Sequence, residues 1–137
     1  LKKFNYAQAG AYFVTVCTFN KECSLGEVVG GRVMLNGIGK TVQTVWNELP
    51  HHFPAIKLDT FVIMPNHLHG ILIFTDPVGA THASPLQLVW QRNYHEHIIR
   101  NENDLNRIRE YIVGNPARWA EDEENPLNVK ASLKRTR

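Results

Sequence analysis

The chain has 137 residues, 43 % hydrophobic and 20 % charged, with a formal net charge of +2 and a sequence pI near 8.6. These values describe one soluble globular domain that buries a core of its own, and they exclude a low-complexity chain. A charge so close to neutral is too mild to argue for nucleic acid by itself.

The basic residues gather at the ends, at Lys2 and Lys3 and again at Lys130, Lys134, Arg135 and Arg137. Termini of this kind are more often solvated tails than binding arms. Two cysteines, Cys17 and Cys23, make no disulfide framework, so a reducing cytoplasm is the expected compartment. No apolar run resembles a signal peptide or approaches the length of a membrane span.

In chain order, "GAYFVTVCTFN" from Gly10 to Asn20 is rich in aromatic and β-branched residues and predicts a strand. "GEVVGGRVMLN" places Gly30 and Gly31 between two short apolar runs, the pattern of a hairpin. From Ile38 the residues Val42, Val45, Trp46 and Leu49 recur at helical spacing, with Pro50 as a stop. "IKLDTFVIM" and "HLHGILIF" predict two strands joined at Pro65-Asn66, and so an antiparallel pair. Thr75 to Leu88 reads as a loop, and "NYHEHIIR" as a short strand. Asn101 suits a helix cap, with Glu102 and Asp104 in the first turn. Leu105, Ile108 and Ile112 form that helix's buried stripe, and Pro116 ends it. The order predicts an α+β fold, an antiparallel sheet with helices packed on one face.

Within "VIMPNHLHGILIF", two imidazoles interrupt an otherwise apolar run. Strand positions two apart point to one face, so His67 and His69 project side by side while Leu68 points to the other layer. Two neutral imidazoles so placed can share a divalent cation. The pattern alone is weak, because "HEH" at His95 and His97 repeats it. Satisfied or surface histidines are the bland alternative for both pairs. The first pair stands out because it starts an interior strand, where polar groups must find partners. Four ligands from both pairs would make a structural zinc site, although nothing in the spacing requires the pairs to meet.

Tyr111 and Asn115 are four apart and share one face of the last helix, beside its apolar stripe. Tyr111 can therefore reach toward the sheet, or pack its ring with its hydroxyl in water. Asn115 before Pro116 also suits a helix end.

Taken together, "FVIMPNHLHGI", "WQRNY" and "HIIRNENDLNRIREYIVGNPARW" resemble the REP-associated tyrosine transposases, a single-tyrosine branch of the HUH endonucleases (His, hydrophobic residue, His). "AGAYFVTVCTFNKECSLGEVV" resembles that family's first strand and hairpin, so the likeness runs from about Tyr6 to Pro126. It implies a ferredoxin-like sheet with the histidine pair on a central strand. It further implies Tyr111 as the nucleophile, and His67, His69 and Asn115 as ligands of Mg²⁺ or Mn²⁺. A two-imidazole site favours Mn²⁺ over Mg²⁺, which prefers oxygen.

The implied reaction is cleavage and rejoining of single-stranded DNA near a hairpin, through a 5′-phosphotyrosine and a free 3′-OH. Asn66, Arg92, Tyr94 and Arg100 are candidate DNA contacts, by phosphate binding and base stacking. Trp90 and Tyr94 also suit core packing. The family is cytoplasmic and nucleoid-associated in prokaryotes. Its more distant relatives form dimers with shared active sites while this branch works as a monomer, so a homodimer and a monomer both stay open.

The chain departs from the family in one stretch. A further helix with basic residues is expected between the histidine strand and "WQRNY", where this chain has only Thr75 to Val89. The single domain over 1–137 is therefore read as shortened between 75 and 89. His95 stands where the family more usually has an aromatic. A catalytically inactive or domesticated hairpin-binding remnant is the alternative to an active transposase.

Overall fold

A computed structural model describes residues 10–75 and 94–126. The first strand, β1 (Gly10–Cys17), alternates its side chains between two layers, Tyr12 and Val14 to one side and Ala11 and Phe13 to the other. It ends at Cys17, three residues before the expected limit. Thr18 leaves the ladder to bond the Asn66 carbonyl, and Asn20 and Lys21 then take left-handed backbone (φ 51° and 54°). A twisted ladder cannot continue through such residues.

The hairpin of β2 (Gly26–Val29) and β3 (Arg32–Leu35) turns at Gly30 and Gly31, with φ of 58° and 76°. Two successive positive φ values are what a tight two-residue turn needs, and glycine supplies them without strain.

Helix α1 (Gly37–Asn47) is capped by Asn36, whose Oδ1 accepts from the Gly39 N–H at 2.9 Å. Its buried stripe is Val42 and Trp46, continued by Leu49, whereas Val45 and Ile38 face solvent. Pro50 does not simply stop the helix. It sits in the first turn of a separate short helix, α2 (Leu49–His52), where its missing N–H costs no hydrogen bond.

Strands β4 (Ile56–Met64) and β5 (His67–Phe74) follow the predicted bounds and pair antiparallel, with an irregularity between Leu58 and Phe61. β6 (Tyr94–Ile99) joins the far side of β1. The sheet order is β4-β5-β1-β6 with every neighbour antiparallel. This is the ferredoxin-like arrangement expected, with the histidines on a central strand. Helix α3 (Glu102–Gly114) is capped by Asn101 as expected, its Oδ1 accepting from the Asp104 N–H at 2.8 Å.

The sheet is covered on both faces. Trp46 and Leu49 pack on Tyr12, Val14, Leu68 and Leu72, and Gly70 leaves the room that the Trp46 ring occupies. On the other face, Leu105 and Ile112 pack on Ala11, Ile71 and Ile99. The expectation of helices on one face therefore holds for α1 and α2, and α3 takes the opposite face. The physical reason is that β5 is apolar on both sides, so neither side can be left to water. The loop expected from 75 to 88 lies almost wholly outside the described residues. Among the described residues no helix is long and apolar enough to cross a membrane.

Candidate active site

Register decides which side chains meet. Cys17 lies opposite His67 and Thr15 opposite His69, so the two imidazoles share the α3 face with the odd-numbered residues of β1. Their ring centroids are 4.4 Å apart. Both are buried, His67 fully and His69 to 5 % exposure.

The Asn66 amide fixes the state of His67. Its Nδ2 donates to the carbonyls of Lys21 (3.1 Å) and Glu124 (2.7 Å), which turns Oδ1 toward His67 Nδ1 at 2.8 Å. An amide oxygen only accepts, so Nδ1 carries the hydrogen, and in the neutral ring Nε2 is left with a bare lone pair. Thr15 Oγ1 meets His69 Nδ1 at 2.8 Å and holds the second ring in place. Burial pushes both pKa values below the ordinary histidine range. For His69 the value falls to about 3, with His67 adding to the effect. For His67 the Asp122 and Glu124 carboxylates and Asn115 oppose the shift without reversing it.

The α3 face supplies the other half. The Tyr111 ring stands 5.4 Å from His69, and Phe13 meets it edge-on at 6.2 Å. Tyr111 is 42 % exposed and opens on a cleft of about 610 Å³ that His69, Thr15 and Asn115 also line. Asn115 itself is 1 % exposed, one turn beyond Tyr111.

Three buried polar atoms of this group have no hydrogen-bond partner: Nε2 of His67, Nε2 of His69 and Oδ1 of Asn115. Leaving such atoms unpaired is costly. Two imidazole nitrogens and an amide oxygen are donors that a divalent cation accepts, so the residues present fit one. Among the described residues no three His, Cys, Asp or Glu side chains gather as a metal set, and Asn115 is the third polar group of this cluster.

The other expected site residues fall differently. Asn66, expected on DNA, is fully buried, and its amide is spent on His67 and two backbone carbonyls. Tyr94 packs against the α1-side core, on the face away from the histidines. Arg100 is exposed just after β6, and Arg92 and Trp90 lie outside the described residues. The four-histidine zinc set does not form. His95 and His97 sit across β1 from the first pair, opposite Thr15 and Phe13, and His97 meets Asp104 at 3.2 Å.

Sequence reasoning missed three contributors. Thr15 could have been found only from register. Asp59 holds Arg109 of α3 with contacts of 2.9 and 2.7 Å, and Arg109 brings its carboxyl down to about 2. Arg118 bends back over Tyr111.

No family model matches the chain. An uncharacterized protein of Haemophilus influenzae is 37 % identical, with 90 % of this chain and 89 % of that protein covered. The chain therefore belongs to one family with that protein. Their alignment spans 160 positions, more than this chain's 137 residues, so the relative carries residues with no counterpart here. The REP-associated tyrosine transposase of Escherichia coli is 27 % identical, over 82 % of this chain and 70 % of its own. The solved structure of a REP-associated tyrosine transposase bound to a REP hairpin shares the fold. Its TM-score is 0.58 and its identity 19 %, with 86 % of this chain and 73 % of that one covered. The chain is thus similar in sequence to one REP-associated tyrosine transposase and shares the fold of a solved one.

Proposed function

We propose that this protein is a metal-dependent transposase that cleaves and rejoins single-stranded DNA next to a hairpin, through a covalent bond to Tyr111. One observation carries the reading. A tyrosine stands beside two buried, neutral imidazoles whose Nε2 atoms have no hydrogen-bond partner among the described residues. A structural histidine pair has no need of either feature.

His67, His69 and Asn115 would hold the cation. Bound there, it supplies Lewis-acid polarisation of the scissile phosphate and stabilisation of charge on the leaving oxygen. The chain's own groups do the rest. Asn66 keeps His67 in the tautomer that presents Nε2, and Thr15 orients the His69 ring. Tyr111 Oη attacks phosphorus, forming the Tyr–O–P bond as the P–O3′ bond breaks, and the phenolic proton is lost to solvent. The 3′ oxygen leaves as a hydroxyl, and its later attack on the phosphotyrosine reverses the exchange. Bond energy is conserved throughout, so no nucleotide cofactor is needed. Hairpin DNA is the substrate class that the REP-associated relatives support.

A second reading is favoured by the residues that the Haemophilus relative carries and this chain lacks. A hairpin-binding remnant would keep the fold and lose cleavage. Labelled single-stranded hairpin DNA and Mn²⁺, with wild type and Tyr111→Phe compared on a denaturing gel, separates the two. A covalent adduct present in wild type and lost in the variant is expected. Hairpin binding with no adduct from either protein would select the remnant.

A further inference from the structure

Arg118 stands on the 3-10 turn Pro116–Glu121 that follows α3, yet its side chain runs back along the helix it has just left. Nη2 donates to the backbone carbonyl of Tyr111 at 2.8 Å. The N–H of Asn115 bonds Ile112 instead, so the arginine takes up a carbonyl that the tightened helix end gives away. The guanidinium carbon lies 5.4 Å from the centroid of the Tyr111 ring. This path exists because residue 114 is glycine, since a Cβ there would collide with Nη1. Elsewhere the ring meets His69 and the edge of Phe13.

We propose that Arg118 is a positioning residue that clamps the Tyr111 ring beside His69 through the space left by Gly114. The inference rests on the transposase reading for its purpose, but its geometry stands without it. A tyrosine this exposed changes rotamer on the picosecond-to-nanosecond scale unless something holds it. An attacking oxygen has to spend its time near the phosphorus for the reaction to be fast. The guanidinium does two things that an ammonium cannot do together. Its carbon lies over the ring while one of its N–H groups donates to the carbonyl of the same residue. A plain helix cap would need only the carbonyl bond.

The test separates these roles. Tyrosines are replaced by 3-fluorotyrosine, and the Tyr111 ¹⁹F resonance is identified by its loss in Tyr111→Phe. In Arg118→Ala and in Gly114→Ala that line should move toward the free-tyrosine position and narrow. With Mn²⁺ and saturating hairpin DNA, the rate of adduct formation should fall on the order of 10–100-fold in both variants, with KM unchanged. Arg118→Lys, which keeps the charge and loses the planar fork, should remain close to the alanine variant. An unmoved fluorine line in both variants overturns the clamp, as does a moved line with an unchanged rate at saturation. A wild type that forms no adduct sinks the transposase reading, and the fluorine line alone then decides for or against the clamp.

Discussion

The two halves of the site are built by different means. The sheet half, His67 and His69 with Asn66 and Thr15, is buried and set by strand register and two side-chain hydrogen bonds. The helix half, Tyr111 with Arg118, is open to solvent and set by contacts that α3 makes with its neighbours. Backbone ladders fix positions tightly, as the proposed metal ligands would need, whereas the exposed Tyr111 depends on the side chains around it. Asn115 belongs to both, buried like the histidines and carried on the same helix as the tyrosine.

Acid should have the largest effect, and the sheet half should feel it first. His67 and His69 titrate below their unfolded value of 6.5, His69 at about 3. As pH falls below 6.5 the unfolded chain takes up protons that the native rings refuse. Native stability is therefore complete above 6.5 and is lost progressively toward pH 3, on the order of several kcal/mol. Urea midpoints at pH 7.5, 5.5 and 4.5 should fall step by step, and added Mn²⁺ should raise the midpoint at pH 7.5 and still at pH 4.5, where the native rings remain neutral. Equal midpoints across the series would remove the case for buried neutral imidazoles.

Asn66→Ala comes next. It strands two backbone carbonyls and His67 Nδ1 in the interior, at a cost of about 2–3 kcal/mol in urea unfolding. A change within a few tenths would mean that Asn66 is not the keystone of the sheet half. Thr15→Val keeps the shape and removes the oxygen at His69 Nδ1. Mn²⁺ affinity by calorimetry should drop roughly 10–100-fold, as for other partners of metal-bound histidines. Unaltered affinity would show that the hydroxyl does not orient the ring.

Asp59→Asn should have the smallest effect on stability and act on the helix half. The Arg109 guanidinium holds the Asp59 carboxyl at about 2, so the pair stabilises the native state above pH 3.8 and is lost as pH falls toward 2. Arg109 is well exposed, so screening reduces the contribution to roughly 1 kcal/mol at pH 7. Adduct formation should slow more than stability falls, because α3 carries Tyr111. An adduct rate lowered in Asp59→Asn at pH 7 with the urea midpoint little changed would sharpen the contrast between the halves. A variant as fast as wild type would break it.

Much of this was legible in the chain itself. Apolar runs joined at Pro65-Asn66 marked β4 and β5 to the residue, the glycine pair marked the hairpin, and Asn101 and Pro116 bracketed α3. The spacing of His67 and His69, and of Tyr111 and Asn115, put each pair on one face before any fold was known. Local periodicity suffices there because it depends on backbone geometry alone.

What local geometry cannot carry is which faces meet. Thr15 is 54 positions from His69 and Asp59 is 50 from Arg109, and only the antiparallel register and the docking of α3 join them. The same applies to Asn66, which looked exposed as a turn residue and proved buried because the Lys21 and Glu124 carbonyls close over it. It applies as well to the second face of the sheet, which had to be covered once β5 turned out apolar on both sides. The sequence by itself determined the chemical groups and their local directions. Tertiary structure decided their partners, because burial and hydrogen bonding between distant segments are properties of the packed chain.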